Sequence, residues 1–449
     1  MTPPPRAYAE DSEPWFRERL ETLVQHATVS PGATDPAPIV AGAEAARSIM
    51  AAAGADARLV PCDGTPSVLG IFRHRAPKAR IVVYNHLDVQ PADPSVWRQA
   101  DPFRFEVEPD PDRTYVYRGR GTTDDKGPAL CALRAAQYVR EAGLPIEVVL
   151  LWETEEEIGS PHFGQVVDAA RGDLACDGVI VSDTIWPSDR APAISTALRG
   201  SLQVILRLRT GNKDVHSGLT GGVARNPVRE LARVATAIDD AAFWKHDLFT
   251  PSPEEVAGYA ACGFDPAYFR RAHGLEKLET EVPLEMLLRL WTRPTWEIHG
   301  LAGGYQGPGV KTVVPHEAEL KASFRLVPGQ DPEAIGERLR AFVAQLAPDV
   351  EVDVAGFLAP YEGPQSGPIH DALVEGISTA FGAKPVLVRE GGSIGAVPIL
   401  AQRLGVGVHF LALSLPDHGY HAPNECFDWR QGRGGIEAYI HVFSRLAQG

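Results

Sequence analysis

ARIVVY (residues 79–84), IEVVLLW (146–152) and GVIV (178–181) are three short runs with almost no polar interruption. A strand with one wet face alternates apolar and polar side chains, so a run without alternation is buried on both faces. Such strands belong to a mostly parallel sheet flanked by helices, an α/β architecture. Helices are predicted ahead of the first run, where amphipathic spacing extends from Trp15 to His26 and an alanine-rich stretch spans Ala41 to Ala53.

Outward from these runs the pattern changes near Leu202. Leu202, Val204, Leu206 and Leu208 alternate with Gln203, Arg207 and Arg209, as in a strand with one solvated face. Asn226-Pro227 then reads as a helix cap and first turn, followed by Leu231, Val234 and Ile238 at helical spacing. Leu320, Ala322, Phe324 and Leu326 alternate; Ile335, Leu339, Phe342 and Leu346 repeat helically; Val350, Val352 and Val354 alternate again. These features predict an antiparallel sheet with helices on one side. The stretch from Phe243 to Trp296 has no clear period and is assigned to a helical insertion without legible chemistry. The α/β style resumes with GVGVHFLAL (405–413), so the second domain interrupts the first: 1–203 and 391–449 form the catalytic domain and 204–390 the insertion. At 449 residues, two domains are the natural expectation.

The formal charge of −15, from 58 acidic and 43 basic residues, repels phosphate backbones and anionic lipid and argues against nucleic-acid or membrane partners. The surplus fits either a solvated acidic surface or carboxylates gathered around cations. The five cysteines have no C-x-x-C spacing, which indicates neither a disulfide framework nor a thiolate zinc site. No stretch approaches the ~20 apolar residues of a membrane span, and the N-terminus has no apolar signal core. A cytoplasmic location is the resulting expectation.

Each apolar run ends in acid or histidine: His86-Leu87-Asp88, Glu155-Glu156-Glu157 and Asp183. In open α/β sheets the ligand crevice lies at the carboxyl ends of the strands, so these side chains converge there. Taken singly, an acid at a strand end is a loop residue or a helix cap. Together, packed carboxylates call for a cation, and Asp, Glu and His are donors that zinc and its neighbours accept. YRGRGTTDDKG (117–127) adds Asp124 and Asp125 on a glycine-rich turn before a helix. A phosphate loop is the competing reading, disfavoured because two aspartates would repel the anion. DHGYHAPNE (417–425) offers His418 and His421, each readable as ligand or as structural histidine.

The set NHLDVQP (85–91), GRGTTDDKGP (119–128), ETEEEIGS (153–160), VSD (181–183), DVHSG (214–218), KTVVP (311–315) and HAPNE (421–425) resembles the zinc metallopeptidase family of carnosinase-type dipeptidases, aminoacylases, carboxypeptidase G and succinyl-diaminopimelate desuccinylase. The dipeptidase branch is the most similar. The resemblance implies a dinuclear zinc exopeptidase fold with an inserted α+β lid and dimerisation domain. It implies that His86 and Asp183 bind one divalent metal ion, that Glu157 and His421 bind the other, and that Asp124 bridges them, with a cis Asp124–Asp125 peptide. Zinc is the expected metal, with manganese or cobalt as alternatives. Asp88 resembles the acid that holds His86 in its ligating tautomer, and Glu156 the general base.

For the substrate, a small peptide or an acyl amino acid, the resemblance points to His216 as an oxyanion donor with Asn226 nearby. It makes Arg325 the carboxylate clamp and places Gly391, Gly392 and Ser393 along the pocket. Read alone, Arg325 is equally a solvent-facing residue on an alternating strand. His216 lies in the insertion, away from the ligands, and the resemblance implies a homodimer in which it serves the partner's site. Asn85 departs from the family's usual glycine, which puts substrate preference in doubt. The rival readings are an N-acyl amino acid deacylase or carboxypeptidase, and a non-catalytic binding protein of the same fold.

Overall fold

The computed structural model describes residues 2–245 and 249–449. Its central sheet has six strands in the order 56–60, 67–72, 146–153, 79–86, 178–181, 408–410. The last four are mutually parallel, and Ser67–Phe72 runs antiparallel to Ile146–Glu153. Both faces are covered, which is why the three apolar runs do not alternate. One face carries a large core that includes Ile81, Val83, Leu150 and Ile180; Val82, Val149, Leu151 and Val181 enter a second core on the other. The chain is an α/β protein with a mostly parallel sheet.

The register positions the chemistry. Tyr84 pairs with Leu151 on one side and Val181 on the other, and His86 pairs with Glu153. The residues after these three strands therefore leave the sheet along one edge.

From Gly200 the chain builds a four-stranded antiparallel sheet in the order 295–303, 317–326, 200–209, 351–358. The alternating residues Leu202, Val204, Leu206, Leu208, Leu320, Ala322 and Phe324 pack on Leu231, Val234, Ile238, Ile335 and Leu339 of the helices Pro227–Asp240 and Pro332–Leu346. The other face is left largely to solvent. The last stretch of the 204–390 excursion packs elsewhere: helix Pro368–Phe381 contributes Ile369, Leu373 and Ile377 to the first core beside the C-terminal helix Trp429–Leu446.

Between Phe243 and Trp296, apart from residues 246–248, which lie outside the described residues, the chain forms helices Pro253–Ala261, Pro266–Ala272 and Pro283–Thr292. Each starts on a proline, which fixes φ where no N–H is needed. Tyr259, Cys262, Leu287 and Trp291 of these helices pack with Trp186, Val388 and Leu415, whereas Phe243, Trp244 and Trp296 at the ends of the stretch pack on the antiparallel sheet.

Candidate metal centre

His86 ends its strand fully buried, and its Nδ1 lies 3.0 Å from the Asp88 main-chain oxygen. A carbonyl only accepts, so Nδ1 carries the proton and Nε2 faces Asp124 Oδ1 at 2.9 Å and Asp183 Oδ2 at 3.8 Å. The expected Asp88 carboxylate contact is thereby altered: that carboxylate stands 3.5 Å from the ring. It instead accepts hydrogen bonds from the Ser30 hydroxyl and from the N–H groups of Glu156 and Glu157. Asp88 holds the ring with its backbone and the acidic segment with its side chain.

Asp124 sits on the glycine-rich turn, and the Asp124–Asp125 peptide is cis. The N–H groups of Gly121, Thr123 and Asp124 and the Arg120 guanidinium all donate to the buried Glu425 carboxylate. His421 Nε2 lies 3.1 Å from Asp124 Oδ2 and 3.0 Å from Glu157 Oε2. Gln90 also donates to Glu157. Two triads result, His86–Asp124–Asp183 and Asp124–Glu157–His421, each with donor atoms within 4.8 Å of one another.

These donors fit two cations. Asp124 Oδ2 is buried and, among the described residues, accepts no hydrogen bond, although His421 Nε2 is close. Contact without hydrogen-bond direction suits two ligands of one ion. Burial pushes Asp183 up to about 7, aided by the charges of Asp124 and Glu157, and drives Glu156 and Asp125 well above the carboxylate range. Burial would lower both imidazoles, but the carboxylates outweigh it: His86 is held well above its ordinary value and His421 at about 11. Such a cluster must hold protons or cations, and it brings two imidazoles to carboxylates at spacings that suit zinc-type ions.

A cavity of about 280 Å³ opens over the triads, lined by Asp124, Glu156, Asp183, Tyr420 and His421 on one side and by Arg325, Glu390, Gly392 and Ser393 on the other. Arg325 Nη1 donates to Ser393 Oγ at 3.2 Å, and Ser393 Oγ donates to the Arg199 carbonyl. His216 and Asn226 do not line this cavity. Both follow the strand Gly200–Arg209 of the antiparallel sheet, where His216 Nδ1 accepts the Gly218 N–H and Asn226 caps the helix at Arg229. His418 is structural: fully buried, it bonds Leu415, Thr123 and Asp428. Glu155 turns away to His162.

The sequence reading missed Glu390, Tyr420 and Gln90. Glu390 ends the strand Val386–Glu390, which pairs with the distant Ala193–Leu198, a fold-back no local pattern encodes. Tyr420 approaches Asp183 and Ser414 through its hydroxyl. Asn85 donates to Asp125 at 2.7 Å, so the departure from glycine supports the turn beside the centre.

The family model for peptidase family M20/M25/M40 matches residues 82–445. A human Beta-Ala-His dipeptidase is 28% identical over 400 residues, covering 85% of this chain and 78% of that protein. Cys-Gly metallodipeptidase dug1 of Schizosaccharomyces pombe is 28% identical over 401 residues, 85% and 83% of the two chains. Among solved structures, an M20 family metallo-carboxypeptidase from Sulfolobus solfataricus superposes with a TM-score of 0.86 at 27% identity, covering 96% of this chain and 98% of that one.

Proposed function

From the membership of this chain in peptidase family M20/M25/M40, we propose that it is a dipeptidase whose machinery is carried by His86, Asp124, Glu156, Glu157, Asp183 and His421. The chain is a metallopeptidase. The observation that carries the site assignment is the pair of triads sharing Asp124, with Glu156 beside them in the same cavity.

We assign the five triad residues to two divalent cations, zinc by donor chemistry. Cations held there would lower the pKa of a bound water and polarise the scissile carbonyl. Glu156 takes the water's proton and delivers it to the departing amine. Arg325 and Ser393 grip the substrate's free carboxylate. Glu390, half-buried and lining the same cavity, offers its carboxylate to the substrate's free amine. That last feature favours dipeptides over N-acyl amino acids, whose nitrogen carries no charge.

His216 acts, in this reading, as an oxyanion donor in the partner of a homodimer. Supporting it are the exposed apolar side chains of the inserted domain, Leu219, Val223 and Val310, each more than four-fifths exposed. The edge strand Thr295–Gly303 adds exposed Ile298 and Leu301. All five cysteines are free, which suits a reducing cytoplasm; among the described residues no helix is long and apolar enough to cross a membrane. The test is turnover of metal-loaded protein on dipeptides beside N-acetyl and N-succinyl amino acids. Faster cleavage of the acylated set would replace the dipeptidase reading with a deacylase.

A further inference from the structure

Behind the metal cavity lies a second one of about 270 Å³. Ile185, Glu390 and Gly392 line both, so the two adjoin across the residues that follow Asp183 and precede Ser393. Its wall is aromatic and aliphatic: Trp186, Phe264, Phe269, Leu287 and Trp291, four of them supplied by the helical stretch 253–292. The volume exceeds the ~150 Å³ of an apolar void known to take a benzene ring.

Two features mark a ligand site and not a packing defect. Phe264 and Phe269 are only half-buried, although each is a large apolar side chain facing this hollow. Arg199, which also lines it, spends Nε on the Gly391 carbonyl, while among the described residues its buried Nη1 meets no acceptor. A guanidinium beside open aromatic faces favours a second π-system in the gap.

We propose that this cavity is the subsite for the side chain of the substrate's N-terminal residue, and that it selects large apolar, above all aromatic, side chains. The assignment rests on the dipeptidase reading. Arg325 takes the carboxylate at one end of the metal cavity, and Glu390, at the junction of the two cavities, takes the amine. The side chain on the amine-bearing carbon then enters the hollow beyond Glu390.

The experiment is a panel of dipeptides on the metal-loaded enzyme: Phe-Gly, Leu-Gly, Ala-Gly and Glu-Gly, with Gly-Phe and Gly-Ala as the reversed set. Phe-Gly is expected to exceed Ala-Gly in kcat/KM on the order of 50-fold, the effect of burying one ring. Gly-Phe and Gly-Ala should differ by less than about 5-fold. In Phe264→Ala and Phe269→Ala, positions whose partial exposure spares the fold, the Phe-Gly to Ala-Gly ratio should fall severalfold. Calorimetric affinities for metal-loaded Glu156→Gln should reproduce the ranking without turnover. Equal rates on Phe-Gly and Ala-Gly, a preference confined to the reversed set, or a preference for Glu-Gly through Arg199 would each overturn the subsite while leaving the dipeptidase reading intact. Inertness of every dipeptide with cleavage of N-acyl amino acids would refute both.

Discussion

Exchange of one carboxyl for an amide separates the two adjacent acids at the centre of the site. Glu157 Oε2 is a donor in the second triad, 3.0 Å from His421 Nε2. Glu156 belongs to neither triad but lines the cavity above them. Glu156→Gln therefore keeps every metal donor and removes the proton acceptor. General acid–base assistance contributes roughly 10²- to 10⁴-fold, or about 3–5 kcal/mol of barrier at 1.36 kcal/mol per decade, and kcat should fall by that factor. Metal content, read by elemental analysis of dialysed protein, should remain near two ions per chain. In Glu157→Gln one of three donors in the second triad becomes a neutral amide facing His421 and Asp124. That variant should come from dialysis with its second site depleted and recover part of its activity when metal is added in excess. Metal loss in the first variant together with retention in the second would refute the assignment by one residue and reverse the roles of ligand and base.

Chelation should abolish turnover, and replacing Asp124, shared by both triads, should deplete both sites together; active protein with metal content near zero would end the metallopeptidase mechanism. Arg325→Ala should lower kcat/KM on free dipeptides by about 30- to 1,000-fold, the loss of one buried charge partner, while C-terminally amidated substrates change little. For acid stability, burial and the neighbouring His370 hold His409 down to about 4 against an ordinary value near 6.5. A folded-state pKa below the unfolded one means the unfolded chain binds the proton more readily. Its contribution is complete well above about pH 6.5 and is lost as pH falls toward 4, the loss amounting to about 2 kcal/mol by pH 5. His409→Leu should narrow the Tm difference between pH 7 and pH 5, and an unchanged difference would count against the shift. Mixing His216→Ala with Glu156→Gln subunits should restore up to half of wild-type activity if His216 serves its partner; confirmed exchange without recovery would place it in its own subunit.

The central sheet was legible because a strand buried on both faces writes a continuous apolar run, and strand ends are where the crevice of a parallel sheet must lie. That logic reached His86, Glu157 and Asp183 through Tyr84, Leu151 and Val181, which the register holds side by side. Asp124 and His421 were legible only as motifs, since a glycine-rich turn and a proline-containing loop carry no period to say where they fold. Glu390 and the stretch 253–292 were opaque for another reason. Their meaning depends on helices of seven to ten residues that pack around Trp186 and Val388, far away in sequence. Asp88 shows a finer limit: sequence selects the residue, but whether its carbonyl or its carboxylate meets the imidazole is settled by the bend of the backbone.

The antiparallel sheet is rooted where Gly200 pairs with Leu326 and Ser201 with Arg325, and Arg325 there reaches Ser393. His216 follows the far end of the same ten-residue strand, Gly200–Arg209, about 30 Å out at ~3.4 Å per residue. Any swing about the root thus sweeps His216 through a wide arc while Arg325 hardly moves. On the roles proposed above, the carboxylate grip would sit at the root of this sheet and the oxyanion donor beyond its far end. Capture of the substrate and completion of the site then respond to different forces: a substitution that stiffens the root should slow turnover without loosening binding.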